Sequence, residues 1–368
     1  MTDQDYMARA LDLARRGLGQ TRPNPMVGAV LVKEGRVIGE GWHQRCGGLH
    51  AEREALARCT EDPRGSTLYV TLEPCCHQGR QPPCTQAILD AGIARVVVAC
   101  GDPNPLVAGH GLELLRRRGV AVTTGVLEAE SLALNRVFFH DITTRRPYVV
   151  LKYAMTLDGK IASRTGAARW ITGPEARQRV HRDRDRHPAI LVGVGTVLAD
   201  DPLLTCRLEG GRNPLRVICD AHLRTPLDSQ LVQTAGAVPT VFAAASPDPA
   251  RAEAFRAAGC AVWDLPGTDG RVDLPALLDR LGGQEIDSLL LEGGGTLNWS
   301  MLEAGLVQGV QAYVSPKLLG GESAKTPVAG LGAEDPDHAV RLTGLSVTPI
   351  GEDILLEGEV LPDVHRNC

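Results

Sequence analysis

The run GLHAEREALARC, Gly48–Cys59, sets a histidine and a glutamate two residues apart, where an alanine-rich segment takes on helical spacing. A helix opening on His50 and Glu52 holds a metal-ligand type and a proton carrier at a fixed separation. A histidine alone makes no metal site. Zinc needs further soft or borderline ligands and, where it does chemistry, a position left open to water. Those ligand types follow in TLEPCCHQGRQPPCT, Thr71–Thr85, which offers Cys75, Cys76, His77 and Cys84 behind Pro74 and Pro83.

The surrounding chain alternates helix-like and strand-like segments. YMARALDLARRG has helical spacing and ends at Gly17. MVGAVLVKEGRVIGEGW reads as two β-rich runs about a hairpin at Lys33-Glu34-Gly35. After the His50 helix come the strand STLYVTLEP, a helix near TQAILDAG, the strand ARVVVAC, the helix GLELLRRRG and the segment VAVTTG. This pattern predicts a layered α/β domain with helices packed on a mixed sheet. TTRRPYVVLKYAMTLDGK then starts something new. A basic stretch with Pro147 leads into a strand and an Asp158-Gly159 turn, which places a domain boundary near Arg146 and gives domains 1–146 and 147–368. The first holds 18 basic against 16 acidic residues, the second 21 against 28.

Each half of the 368 residues is long enough for its own core. Hydrophobic residues make up 43% and charged residues 23%, and no apolar run approaches the ~18 residues of a membrane span. The opening MTDQDYMARA carries early acids and no apolar signal region, so a cytoplasmic location and no membrane partner are expected. Ten cysteines there read as reduced thiols or metal ligands, and six precede Arg146. A net charge of −5 argues against nucleic acid as the partner. Arg116–Arg118 reads as a solvated helix face. A homo-oligomer is expected.

His-x-Glu followed by Pro-Cys and a later Cys is the signature of zinc-dependent deaminases acting on nucleobase-like rings. His50, Cys75 and Cys84 are the expected ligands of one zinc ion, leaving the fourth tetrahedral position for water. Glu52 is the expected proton carrier, taking a proton from the attacking water and delivering it to the departing ammonia. A closed zinc knuckle or a set of buried thiols would use the same cysteines. Cys46, Cys59 and Cys100 read as packing residues, and Cys76 and His77 as pocket residues. Eight residues separate Cys75 from Cys84, where the commonest deaminase spacing is two.

With TRPNPMVGAVLV, GEGWHQRCGGLHAEREAL, the long cysteine loop and GDPNPLVAGHGLELLRRRG, the chain closely resembles the bifunctional riboflavin-biosynthesis deaminase–reductases over nearly its whole length. The resemblance implies an N-terminal cytidine-deaminase-like layered α/β domain and hydrolytic deamination of a diaminopyrimidinone carrying a ribosylamino 5-phosphate. It places substrate contacts on Asn24, His43, His77, Arg80, Asp102 and Asn104. Cys76 departs from the serine usual in the family, which weakens any hydrogen bond donated there. A deaminase of nucleosides or transfer RNA is disfavoured by the long loop and the weak basic balance.

In the second half, DSLLLEGGGTLNWSMLEAGLV runs an apolar strand to Glu292, three glycines and a helix-compatible segment, a turn suited to a phosphate but short of the dinucleotide fingerprint. KYAMTLDGKIA, RWITGPEAR, HRDRDRHPAILVGVGTVLADDPLLTCR and LLLEGGGTL resemble the reductase domain of the same enzymes, which implies a dihydrofolate-reductase-like α/β fold and NADPH. By that resemblance the cofactor contacts Ala154, Trp170, Thr196, Asp200, Ala221 and Gly294, Gly295, Thr296, Leu297, Asn298, Trp299 and Ser300. The substrate contacts are Ala168, Arg184, Leu204, Arg207 and Glu292, with Lys152 a candidate to polarise the sugar. Ala168 stands where members often carry serine. Arg184 and Arg207 suit a bidentate grip on a phosphate, and Glu292 suits sugar hydroxyls.

Overall fold

The computed structural model describes residues 1–78, 82–104 and 107–361. The chain divides into two compact units, Met1–Arg145 and Arg146–Cys368.

The first unit opens with α1 (Asp3–Arg15), β1 (Gly28–Lys33), β2 (Arg36–Trp42), α2 (Ala51–Ala57) and β3 (Thr67–Leu72). It continues with α3 (Cys84–Asp90), β4 (Arg95–Cys100), α4 (His110–Arg117), β5 (Ala121–Thr124), α5 (Glu128–Leu134) and α6 (Arg136–Thr144). The sheet runs β2-β1-β3-β4-β5. β1 pairs antiparallel with β2 and β3, while β3, β4 and β5 run parallel. Successive residues of β1 face opposite sides. Ala29 and Leu31 pack under α2, α3 and α4, and Val30 and Val32 under α1. Burial on both faces explains the nearly continuous apolar runs.

Two glycines bring helices down onto the sheet. A Cβ on Gly41 would lie 2.5 Å from Ala51 O and 2.4 Å from Ala55 N, so the site-bearing helix α2 rests directly on β2. A Cβ on Gly28 would lie 1.9 Å from Ala10 O and 2.8 Å from Ala14 N. Both neighbours are helix backbone and cannot swing aside. Gly28→Ala is therefore expected to lower the stability of this unit by about 1–3 kcal/mol or more, read as an earlier urea-unfolding midpoint.

The second unit contains β6 (Tyr148–Thr156), α7 (Pro174–Arg186), β7 (Ala189–Gly193), α8 (Val194–Asp200), β8 (Leu215–Cys219), α9 (Gln230–Gln233) and β9 (Thr240–Ala244). Then follow α10 (Pro249–Ala257), β10 (Ala261–Asp264), α11 (Leu274–Gly282), β11 (Ser288–Leu291) and α12 (Gly295–Glu303). β12 (Gly309–Ser315), β13 (Leu342–Ile350) and β14 (Asp353–Val360) complete it. Nine strands run β10-β9-β8-β7-β11-β6-β12-β14-β13. They are parallel from β10 to β12 and antiparallel beyond. The chain leaves β6 for β7, steps outward to β10, and returns to insert β11 between β7 and β6. The carboxyl ends of β7 and β11 thus flank a point where the winding reverses, the place where open α/β sheets bind ligands. One sheet face packs on α11 and α12 through Leu277, Leu281 and Met301, the other on α9 and α10 through Leu231 and Phe255.

Candidate active sites

His50 is the N-cap of α2, with extended backbone at φ −71° and ψ 158°. Cys75 follows the end of β3, and Cys84 is the first residue of α3. Cys84 Sγ lies 3.3 Å and Cys75 Sγ 3.6 Å from His50 Nδ1. The three ligand atoms all fall within 4.8 Å of one another. Zinc bonds of about 2.3 Å to sulfur and about 2.0–2.1 Å to nitrogen in a tetrahedron put neighbouring ligand atoms about 3.6 Å apart. The spacing and the donor set therefore fit zinc. A hydrogen bond between the two thiols holds Cys75 well down, at about 4, against its burial, and the same hydrogen bond with burial pushes Cys84 up. Coordination requires the thiolate form.

Glu52, in the first turn of α2, is 3% exposed and lies outside that triangle. Burial, then the neighbouring Cys75 charge, raises its carboxyl above the ordinary range. Next to the triangle His43 is buried and set edge-on to His50 at 5.7 Å. Its Nδ1 bonds the Leu49 carbonyl at 2.9 Å, so Nδ1 carries the proton and Nε2 accepts from Asn24 Nδ2 at 3.1 Å. Burial lowers its pKa, which favours the neutral ring. Among the described residues His77 Nδ1 is buried with no hydrogen-bond partner. Asp102 accepts from Asn104 N at 2.9 Å, and burial raises its carboxyl. Arg80 lies outside the described residues.

One organiser escapes the sequence reading. Glu73, 4% exposed, accepts main-chain bonds from Gly109 and Gly111 at 3.0 Å and from Asp102 and Leu112 at 3.4 Å. It ties the Asp102 segment to the strand end that carries Cys75.

In the second unit a cleft of about 1160 Å³ opens at the carboxyl ends of β7, β8 and β11. Thr196, Asp200, Ala221, Gly294, Gly295, Thr296, Leu297 and Ser300 line it, as does Ala168. The N-cap Gly294 and the first residues of α12, Gly295 and Thr296, line that space, and no side chain caps the helix start, which suits a pyrophosphate. Among the described residues this arrangement fits a dinucleotide cofactor.

Residues 1–100 match the family described as the cytidine and deoxycytidylate deaminase zinc-binding region, and residues 147–356 match the RibD C-terminal domain. A riboflavin biosynthesis protein RibD of Actinobacillus pleuropneumoniae is 54% identical over 361 residues, 98% of this chain and 96% of that protein. The chain belongs to the RibD family. The Escherichia coli RibD is 43% identical, covering 88% of this chain and 90% of that one. A solved diaminohydroxyphosphoribosylaminopyrimidine deaminase/5-amino-6-(5-phosphoribosylamino)uracil reductase from Thermotoga maritima superposes with a TM-score of 0.83 at 38% identity, over 98% of this chain and 99% of that one. Acinetobacter baumannii RibD gives 0.84 at 38% identity, with coverage of 98% and 99%. As a RibD protein the chain is a bifunctional deaminase–reductase of riboflavin biosynthesis. Its first unit has the cytidine-deaminase-like fold and its second is the RibD reductase domain, with Zn2+ and NADPH as cofactors.

Several residues expected at the RibD reductase site stand elsewhere. Asn298 is fully buried and donates to Pro327 O at 2.7 Å, and Trp299 packs on Gly330. Helical geometry turns these two away while Thr296 and Ser300 face the cleft. Ala154 sits on β6 against the Tyr313 cluster, and Trp170 is 60% exposed under Arg177, with the guanidinium 4.5 Å from its ring. Neither lines the cleft. Leu204 packs in the core, and Arg207 is exposed.

Arg184 is engaged within the protein. Its Nε and Nη2 bind Glu292 at 2.8 and 3.0 Å, and its Nη1 binds Thr205 O at 3.1 Å. Lys152 Nζ lies 3.2 Å from the same carboxylate. Burial works to raise the Glu292 carboxyl, but Arg184 and Lys152 outweigh it and hold it well below the carboxylate range. Arg216, unremarked in the sequence, is fully buried and donates to Thr240, Thr234 and the carbonyls of Leu203, Leu231 and Val238. It pins the segment that leads into Leu204 and Arg207.

Among the described residues no helix is long and apolar enough to cross a membrane.

Proposed function

We propose that the chain converts 2,5-diamino-6-(5-phosphoribosylamino)pyrimidin-4-one in two steps, deamination within residues 1–146 and NADPH-dependent reduction of the ribosyl group to ribityl within residues 147–368. The observation that carries this reading is the His50, Cys75 and Cys84 triangle with buried Glu52 beside it, on a chain whose second unit holds a separate cleft of dinucleotide size. His50, Cys75 and Cys84 hold one zinc, which when bound lowers the pKa of water and acts as a Lewis acid. Glu52 takes a proton from the water attacking the amino-bearing ring carbon and returns it to the leaving nitrogen, so water is consumed and ammonia released. Asn24, His43, His77, Arg80, Asp102 and Asn104 hold the ring and phosphate.

NADPH, when bound, would supply a hydride to the first sugar carbon, electrophilic in the ring-opened, imine-like form, with a proton completing the amine. Thr196, Asp200, Ala221 and the first turn of α12 hold NADPH. Glu292, fixed by Arg184 and Lys152, faces the sugar hydroxyls, and Arg207 is left to meet the phosphate. The chain is proposed to act in the cytoplasm as a homo-oligomer on this small molecule. With deuterium on the transferable position of NADPH, label is expected on the first sugar carbon of the product, read by mass spectrometry and NMR. Label in the pyrimidine ring would overturn the reading of the second unit.

A further inference from the structure

Eight residues separate Cys75 from Cys84, so the chain itself does not fix one ligand against the other as a spacing of two would. The fold has to do it. At the start of α3, Cys84 N donates to Cys75 Sγ at 3.4 Å, and Thr85 N and Oγ1 donate to Cys75 O at 3.1 and 3.3 Å. These bonds register two of the three ligands. His50, on α2, has to be registered by something else.

The residues that lead into Cys84 are Pro82 and Pro83. Neither has an N–H, so their carbonyls are the only main-chain groups by which this segment can be hydrogen-bonded. One side chain takes both. Arg53, three residues beyond His50 and next to Glu52 on α2, donates from Nε to Pro82 O at 3.2 Å and from Nη2 to Pro83 O at 3.0 Å. Among the described residues, and apart from the ligand atoms themselves, this is the hydrogen-bonded link between α2 and the entry to α3. A guanidinium beside a metal dication is repelled by it, so by charge alone an arginine here weakens a zinc site. What it offers in exchange is a rigid fork that reaches two successive carbonyls.

Resting on the assignment of His50, Cys75 and Cys84 to zinc, we propose that Arg53 is a positioning residue of that site, whose grip on Pro82 and Pro83 sets Cys84 against His50 and so raises the affinity of the chain for zinc. The long loop makes the grip necessary. Arg53 acts through Cys84 and not on the metal itself.

The test is the zinc dissociation constant of the full chain, measured by competition with a chromophoric chelator, with the far-ultraviolet circular dichroism of the zinc-free chain recorded beside it. Arg53→Met, which removes fork and charge, is expected to weaken zinc roughly tenfold and leave the zinc-free spectrum unchanged. Arg53→Lys keeps the charge but reaches one carbonyl at a time, and should weaken zinc several-fold. Arg58→Met is the control. It takes the same charge from α2, but Arg58 pairs with Glu54 at 3.0 Å and lies over the Trp42 ring, so its zinc affinity should match the wild type. Tighter zinc in Arg53→Met, with Arg53→Lys at the wild-type value, would show that the residue acts by charge alone and would overturn the proposal. Unchanged affinity in both variants would overturn it too, as would weakening accompanied by an altered zinc-free spectrum, since the effect would then be on the fold. Cys84→Ala separates the two readings: if it keeps wild-type zinc affinity, the ligand set is wrong and the proposal falls with it, whereas loss of zinc there and none in the Arg53 variants sinks the proposal alone.

Discussion

Glu52→Ala is expected to cut deamination by roughly a hundredfold to ten-thousandfold while the chain still binds one zinc. Glu52 is buried in the first turn of α2 beside the triangle of ligand atoms and is not a member of it. Removing the carboxylate takes away the proton carrier and leaves His50, Cys75 and Cys84 in place. Cys84→Ala should behave differently. It removes one of three ligands, so zinc content and deamination fall together. Metal analysis beside the rate separates the two roles. Loss of zinc from Glu52→Ala as complete as from Cys84→Ala would contradict the division between ligand and proton carrier.

Glu292→Gln should destabilise the second unit by about 3–5 kcal/mol and abolish reduction, because it leaves Arg184 and Lys152 buried around a neutral amide. The pH dependence gives the sign. The folded carboxyl sits well below its ordinary value of 4.5, so the native state favours the ionised form. That stability is fully present above about pH 4.5 and is lost as pH falls through the depressed folded pKa. The difference in unfolding free energy between the wild type and Glu292→Gln should therefore be flat from neutral pH to about 4.5 and shrink below it. A difference growing with acidification would show that Glu292 is not held ionised by its two cations.

The deaminase site was legible because its chemistry lies in two short motifs. A histidine before a helix and a cysteine after Pro74 are distinctive residue types at distinctive places, and Cys84 follows within one loop. Glu73 was not legible. Its role arises from main-chain N–H groups of residues 102–112, which no side-chain pattern announces. The strands of the first unit, with β6 and β11 in the second, were readable as apolar runs, whereas α5 and α6 and the other strands of the second unit were missed. Neither has a side-chain cap, and α5 follows Leu127 in a left-handed conformation at φ 56°. Within RDRDR, Arg182–Arg186, Arg182 is exposed while Asp183 is 1% exposed and Arg184 reaches Glu292 across 108 residues of sequence. Helical period separates those fates, but only the tertiary partner reveals Arg184's task. Asn298 and Trp299 show the converse: a contiguous stretch was expected on the cofactor, and the turn of α12 divides it.

The central claim is that two separate sites in one chain act in sequence, and product mass tests it most directly. The chain is incubated with the diaminopyrimidinone substrate, with and without NADPH, and with a zinc chelator in a parallel set. Without NADPH the product should have exchanged one amino group for oxygen, with NADPH it should also have gained two hydrogens, and the chelated chain should leave the diamine intact yet reduce a substrate already deaminated. Deamination that survives removal of zinc, or reduction that stops with it, would contradict the account.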